Sequence, residues 1–269
     1  MEMIQTKIEM VFLDIDGTLY ANGALVPSGV HAVEQLLQKD IPVALCTGRS
    51  VLHAQHVQDE LGVPYGIYFN GGLVKSRSDE LFKAPFPSED VEAIVRYADQ
   101  FDIPTVVHTH AKAVAFEPIP PQYEPVLRSF DFPEIEVINK DFDILQTLPI
   151  YQINAFMTPG WDAEFEARFK GCYIYRWNPN AVDFQRRKSD KSIGALHLLK
   201  HLGISPEHAV HIGDGGNDVG MFRILGHSYA MGNAEPDVKR AAKRVTADAL
   251  DDGVAKALLD LGLIDAIAR

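Results

Sequence analysis

The fold is decided by the stretch Val11-Phe12-Leu13-Asp14-Ile15-Asp16-Gly17-Thr18-Leu19. From Ile8 to Leu13 the residues are apolar except Glu9, the pattern of a strand buried on both faces of a parallel sheet. The run ends in two aspartates that alternate with Ile15, and then in Gly17. Carboxylates at the end of a buried strand are unfavourable unless a cation or hydrogen bonds compensate them. In open α/β sheets that end is also where ligands sit. A single aspartate there reads as a turn cap before the glycine, whereas a pair asks for partners elsewhere in the chain.

Working outward, residues 20–26 are polar and glycine-containing and read as a small flap. Pro27 and Ser28 open a helical pattern carried by Val30, Val33, Leu36 and Leu37, with proline tolerated at a helix start. Residues 41–46 form a second apolar run, ending in Thr47-Gly48-Arg49-Ser50, and a helix is expected from 50 to about 61. A third short strand, 65–69, is punctuated by Asn70-Gly71-Gly72. Beyond residue 190 the same rhythm returns. Residues 191–202 are amphipathic, and 209–212 form a strand ending in Gly213-Asp214-Gly215-Gly216-Asn217-Asp218. Further short strands are expected at 227–231 and 244–246, with helices near 235–243 and 252–261. Strand–helix alternation of this kind predicts an α/β fold, a doubly wound parallel sheet.

Between these halves the composition changes. Residues 85–185 hold 11 of the 16 prolines and 17 of the 25 aromatic residues, a density that predicts a separate α+β unit with its own core. Strands are expected at 104–109, 112–117, 150–157 and 172–177, and helices at 88–100 and 162–169. The predicted organisation is a core of residues 1–84 and 186–269 with an inserted cap, 85–185, hinged near 83–87 and 185–189.

A chain of 269 residues suits one large or two smaller domains, and 46% hydrophobic with 23% charged residues is ordinary globular composition. No apolar run approaches the ~18–20 residues of a membrane span, and residues 1–7 do not resemble an export signal; a cytoplasmic location is expected. Cys46 and Cys172 are far apart and without metal-ligand spacing, so both are expected as reduced thiols. The net charge of -12 argues against a nucleic-acid partner. It also requires any anionic substrate to be drawn by local positive groups or a metal. No interface signature stands out, and a monomer is expected.

Three strand ends thus carry polar residues: Asp14 with Asp16, Thr47 with Gly48, and Asp214 with Asn217 and Asp218. In a parallel sheet these ends share one edge. Asp14 and Asp214, joined by the backbone carbonyl of Asp16, offer hard oxygen ligands suited to Mg²⁺. Thr47 offers a hydroxyl and Gly48 an unobstructed N–H to a phosphate oxygen. Lys191, at the start of its helix, adds a point charge where anions are already favoured. Together they suit a phosphoryl group. A P-loop pattern is absent, and Asp218 stands where the third glycine of a dinucleotide fingerprint would be.

In order and spacing, Asp14-Ile15-Asp16-Gly17-Thr18, Thr47-Gly48-Arg49, Lys191 and the 213–218 run resemble the four motifs of the haloacid dehalogenase-like phosphatases. The long insertion resembles that of the Cof-type branch, as do Met221, Ala230-Met231-Gly232-Asn233-Ala234 and Asp252-Gly253-Val254. The resemblance covers the core nearly end to end and is weak in the cap. It implies Mg²⁺-dependent phosphate-ester hydrolysis, with Asp14 as nucleophile and Asp16 as general acid and then base. For that role Asp16 must be protonated when substrate binds, and burial is the expected means. It further implies that Thr47, Gly48, Lys191 and Asn217 hold the phosphoryl oxygens, that Asp218 fixes Lys191 or a metal-bound water, and that the cap closes over the substrate. Sugar phosphates are the expected class, because relatives with this insertion resemble hexose-phosphate phosphatases.

Weaker signals lie elsewhere. Asn70-Gly71 is similar to a turn at the mouth of relatives' sites, and Arg49 could orient substrate or pair with a carboxylate. Arg176, Trp177 and Asp183 could contact a leaving group, or Trp177 could simply pack in the cap. His108 and His110 alternate on a strand but lack a third metal ligand, so packing roles are expected. The rival readings are a sugar phosphomutase sharing the aspartyl-phosphate intermediate and a non-catalytic sugar-phosphate sensor.

Overall fold

The apolar run before Asp14 becomes β1 (Met10–Leu13), all four residues fully buried. The flap is a hairpin of β2 (Tyr20–Ala21) and β3 (Ala24–Leu25), turned through Asn22 and Gly23 at φ of 52° and 81°, the left-handed pair a tight hairpin requires. Next come α1 (Pro27–Gln38), with proline in its first turn, β4 (Val43–Cys46), α2 (Val51–Leu61) and β5 (Tyr65–Tyr68). Two strands unmarked in the sequence reading follow, β6 (Leu73–Ser76) and β7 (Glu80–Lys83), both antiparallel to their neighbours. In the computed structural model the described residues are 7–129, 132–138 and 141–267; residues 1–6, most of the segment read as no export signal, lie outside them.

The inserted unit has its own sheet and core. α3 (Ser88–Asp99) leads to β8 (Thr105–His108) and β9 (Ala113–Ala115). After α4 (Glu124–Ser129) come β10 (Ile135–Val137), β11 (Gln152–Ala155), α5 (Asp162–Arg168), β12 (Cys172–Asn178) and β13 (Ala181–Arg186). The strand order is β10-β9-β8-β11-β13-β12, antiparallel except for the β9–β10 pair. The two-residue period of the strands sends Val107, Ile153 and Phe184 into one buried cluster with Val91, Ile94 and Phe165. Each such side chain contributes about 1.5–3 kcal/mol when fully buried, so the insertion holds a core of its own.

The chain returns through α6 (Lys191–Leu202), β14 (Ala209–Gly213), α7 (Val219–Ile224), β15 (His227–Ala230), α8 (Pro236–Ala241), β16 (Arg244–Val245) and α9 (Gly253–Asp260). The larger sheet reads β16-β15-β14-β1-β4-β5-β6-β7 and is parallel from β16 to β5. Its core on one side joins Met10, Phe12, Ala44 and Ala209 to Leu198 and Leu199 of α6 and Met221 of α7. From β1 the chain first builds outward through β4 and later returns to β1's other side as β14. The carboxyl end of β1 is therefore the topological switch point where α/β sheets bind ligands.

Internal contacts divide the chain into one unit of residues 1–48, 56–83 and 190–269 and another of 49–55 and 84–189. Residues 49–55, 84 and 186–189, read from sequence as core, group with the insertion. The reasons are local. The His53 ring lies 6.4 Å from that of Phe132, β13 runs on to Arg186, and Arg187 N–H donates to Gly171 O at 2.9 Å.

Candidate active site

Asp14 is the first residue past β1, and its N–H continues the ladder by donating to Ile212 O of β14 at 3.0 Å. Asp14 is 5% exposed, and its carboxylate accepts from Lys191 Nζ at 2.7 Å. Lys191 begins α6 immediately after its cap, where Asp190 accepts from Ser192 N–H at 2.8 Å. The ammonium is fully buried and donates equally, at 2.7 Å, to Asp218 Oδ1. Residues 177 positions apart thus meet because the returning α6 starts at the edge where β1 ends.

Asp218 is the most heavily engaged carboxylate. Besides Lys191 it accepts from His211 Nε2 at 2.8 Å and, through Oδ2, from Gly215 N–H at 2.9 Å. The other ring nitrogen of His211 lies 3.2 Å from Phe12 O, so both nitrogens face acceptors. Burial would raise the Asp218 carboxyl, but Lys191 and His211 beside it hold it well below the usual range. The same two carboxylates keep the Lys191 ammonium charged despite its burial.

Asp214 follows β14. Gly17 Cα sits against it at φ +70°, and a Cβ there would lie 2.1 Å from Asp214 Oδ2; only glycine allows the approach. Asn233 ties the two segments together, donating to Gly17 O at 2.9 Å and Asp214 Oδ2 at 3.1 Å while accepting from Ala249 N–H at 2.9 Å. On the other flank Thr47 is buried after β4. Its carbonyl accepts from Asn70 N–H at 3.0 Å. Asn70, at φ 51°, accepts through Oδ1 from Asn217 Nδ2 at 2.9 Å and lies over Gly48, where a Cβ would meet it at 3.2 Å. Asn70, set apart in sequence as a mouth residue, is therefore part of the 47–48 and 217 cluster. Gly71, also at positive φ, makes the next close approach, to the Asp190 carbonyl.

Four sequence-predicted residues stand apart. Asp16 is exposed, against the expected burial, because Ile15 takes the inward position and the chain turns at Gly17. Arg49 groups with the inserted unit, its Nη1 donating to His53 O at 3.4 Å. Arg176 is consumed inside that unit by Asp162 and by the carbonyls of Met157, Asn178 and Pro179. Asp183 lies there too, bonded to Trp177 and Asn154. His211 and Asn233 were given no role from sequence. The available signal for His211 was a lone ionisable residue inside the apolar strand 209–212; for Asn233 it was an amide just past a strand end.

One oxygen each of Asp14, Asp214 and Asp218 lies within 4.8 Å of the others, a set of hard donors that could hold a divalent cation. Asp218 is committed to Lys191, His211 and the Gly215 N–H, and Asp14 shares the single Lys191 ammonium with it. Burial, with Asp218 adding repulsion, pushes Asp214 up to about 6. Burial also carries Asp14 well above the carboxylate range, against the pull of Lys191. The chemistry of this donor set fits Mg²⁺.

The site and fold define a phosphatase. The profile of the haloacid dehalogenase-like hydrolases matches residues 11–258. The chain is 29% identical over 270 residues to a proposed bifunctional phosphatase/peptidyl-prolyl cis-trans isomerase of Streptococcus pyogenes serotype M6, covering 96% of this chain and 55% of that protein; it thus spans about half the length of that relative. A proposed phosphatase of Bacillus subtilis (strain 168), YkrA, is 27% identical over 95% of this chain and 98% of its own length. The solved structure of the HAD subclass IIB sugar phosphatase BT4131 superposes with a TM-score of 0.81 at 27% identity, covering 95% of this chain and all of that one. The chain belongs to the haloacid dehalogenase-like hydrolases, in the Cof-type IIB branch, and acts on small phosphorylated metabolites. No helix among the described residues is long and apolar enough to cross a membrane.

The raised carboxyls predict a pH-dependent response to Mg²⁺. A group whose folded pKa is raised from 3.8 to about 6 contributes stability that is present below the unfolded value and lost as pH rises through the folded one. In EDTA, then, this acid cluster weakens the fold between those values. Cation binding needs both carboxylates deprotonated, so the Mg²⁺-induced rise in Tm should be small near about pH 5 and full near about pH 7.5. Thermal unfolding in EDTA and in Mg²⁺ at both pH values checks this; an equal rise at both would contradict it.

Proposed function

We propose that the chain is a Mg²⁺-dependent phosphomonoesterase that passes the phosphoryl group of sugar phosphates first to Asp14 and then to water. The observation that carries the reading is the buried Lys191 ammonium, 2.7 Å from both Asp14 and Asp218, at the switch-point edge. It fixes the Asp14 carboxylate and presents positive charge where a phosphoryl oxygen would lie.

Asp14 Oδ attacks phosphorus as the bond to the ester oxygen breaks, and Asp16 gives its proton to the leaving alcohol. Water, deprotonated by Asp16, then attacks the aspartyl phosphate; the bond from phosphorus to Asp14 breaks and inorganic phosphate is freed. Lys191, the Thr47 hydroxyl, the Gly48 N–H and Asn217 hold the phosphoryl oxygens, with Asn70 setting the rotamer of Asn217. Asp14, Asp214 and the Asp16 carbonyl would hold Mg²⁺, which would supply the charge neutralisation that lets a carboxylate approach an anionic ester. The exposure of Asp16 suits a group that must meet both an alcohol and a water. Sugar phosphates are favoured by the likeness to BT4131, a sugar phosphatase.

Inorganic phosphate release from a panel of sugar phosphates, nucleotides and pyridoxal phosphate, with Mg²⁺ and with EDTA, tests the reading. Metal-dependent release strongest on sugar phosphates is the expected result. An isomerised sugar phosphate with little inorganic phosphate would replace hydrolysis by mutase chemistry.

A further inference from the structure

His211 is an ionisable residue inside a strand that is otherwise apolar. All five residues of β14 are buried, and His211 has no exposed surface. The two-residue period of a strand puts it on the face of β14 shared with Ala209 and Gly213, the face packed against Leu198 and Leu199 of α6 and Met221 of α7. Gly213 brings Asp218 back to it. A Cβ at Gly213 would run into the Asp218 carboxylate, so glycine there lets the chain set that carboxylate over the strand end. The ring itself is held by its register partner on β1, Phe12, whose carbonyl lies 3.2 Å from Nδ1. On α7 the Phe222 ring lies 5.5 Å from it, centroid to centroid.

Burying an imidazole is unfavourable unless its nitrogens are engaged, and an apolar side chain would fill this place if packing were its whole task. A carboxylate only accepts, so His211 Nε2, 2.8 Å from Asp218 Oδ1, is the donor. The same oxygen accepts from Lys191 Nζ at 2.7 Å, and Lys191 lies at an equal 2.7 Å from Asp14 Oδ1. One ammonium is thus shared evenly between two buried carboxylates. Charge-assisted hydrogen bonds are strong in a buried site, and a shared ammonium leans towards the acceptor with fewer other donors. Asp218 has two others, the His211 Nε2–H and the Gly215 N–H. Without the first, Asp218 would take a larger share of Lys191 and Asp14 a smaller one. Phe12, His211, Asp218, Lys191 and Asp14 all belong to the same compact unit.

We propose that His211 is a positioning residue of the active site: its Nε2–H occupies Asp218, so that the Lys191 ammonium stays on Asp14 and on the phosphoryl oxygen beside it. The assignment rests on the phosphatase reading above. His211 touches no reacting atom and transfers no proton; it acts through Asp218 and Lys191. When an anion arrives beside Lys191, the ammonium turns its hydrogen bonds towards it, and Asp218 leans more fully on His211.

The test compares His211→Phe, His211→Asn and His211→Gln in the full chain with Mg²⁺. Phenylalanine keeps a ring against Phe222 without a donor, asparagine keeps an amide too short to reach Asp218, and glutamine places an N–H₂ where Nε2 stands. The first two should lower kcat/KM for a hexose phosphate about ten- to a hundredfold, the range for one hydrogen bond to a charged group. Competitive inhibition by inorganic phosphate should weaken in parallel, and glutamine should recover most of both. Folded Phe or Asn variants with unchanged kinetics and only a lower Tm would make His211 a packing residue and overturn the proposal. A Gln variant no better than the Asn variant would overturn it too. A second measurement uses the parent with isotope-labelled histidine. The His211 ring nitrogen signals, identified by through-space contact with Phe222, should shift on titration with inorganic phosphate. Ring signals unmoved by phosphate at any concentration overturn the proposal even where the Phe and Asn variants fail to fold. This titration needs no turnover, and failure of the phosphatase reading is seen separately, as no phosphate released by the parent from any ester.

Discussion

Asp14→Asn is expected to abolish phosphate release, by roughly 10⁴-fold or more, the scale of losing a residue that bonds to the reacting atom. An amide cannot displace the alcohol, and the other phosphate-holding groups cannot substitute for the missing bond. The same change should leave the metal-free fold at least as stable as the parent. Burial, with Asp218 and Asp16 adding repulsion, raises the Asp14 carboxyl against the pull of Lys191, so an amide of the same shape relieves a desolvated charge and its repulsion while Asp218 remains as the partner of Lys191. Mg²⁺ should then give little of the thermal stabilisation expected of the parent. Assaying turnover and thermal unfolding together separates this from simple misfolding; substantial activity in a folded variant would refute the role.

Asp16→Asn should behave differently because its proposed work is proton transfer. Losses of about 10²–10⁴-fold are usual for general acid–base residues, and that range is expected here for alkyl phosphates such as a hexose phosphate. With p-nitrophenyl phosphate, whose leaving group needs no proton, the first step should be almost unimpeded. Hydrolysis of the phosphoenzyme still needs a base, so a burst of p-nitrophenol followed by slow turnover is expected. Rapid-mixing kinetics reads both phases. An equal slowing of the burst for both leaving groups would remove Asp16 from the acid role.

The core was legible because its chemistry sits where apolar runs stop. Asp14, Thr47 and Asp214 each follow a strand that any buried parallel sheet would produce, and the sheet edge does the rest. His211 was illegible for the opposite reason: it lies inside such a run, and its role depends on Asp218, one turn beyond the strand, and on the Phe12 carbonyl of the neighbouring strand. Asn233 required knowing that the β15 end returns beside Gly17. Asn70 was seen as a turn, but a left-handed residue reaching Asn217, 147 positions away, has no local signature. In the insertion, β13 has the alternation of a strand, yet it begins only three residues after Asn178 and was assigned no strand of its own. Asp16 was expected to be buried because the acid role implied by the resemblance needs a protonated carboxyl, and it is exposed where the chain turns at Gly17.

The most direct test of the central claim is acid quench of the enzyme during turnover of a sugar phosphate with Mg²⁺, followed by peptide mass analysis. Phosphate carried on the peptide containing Asp14, absent in Asp14→Asn and enriched in Asp16→Asn, is the result predicted here. Phosphate release without any such adduct in either Asp14-containing protein, or an adduct on a different residue, would contradict it.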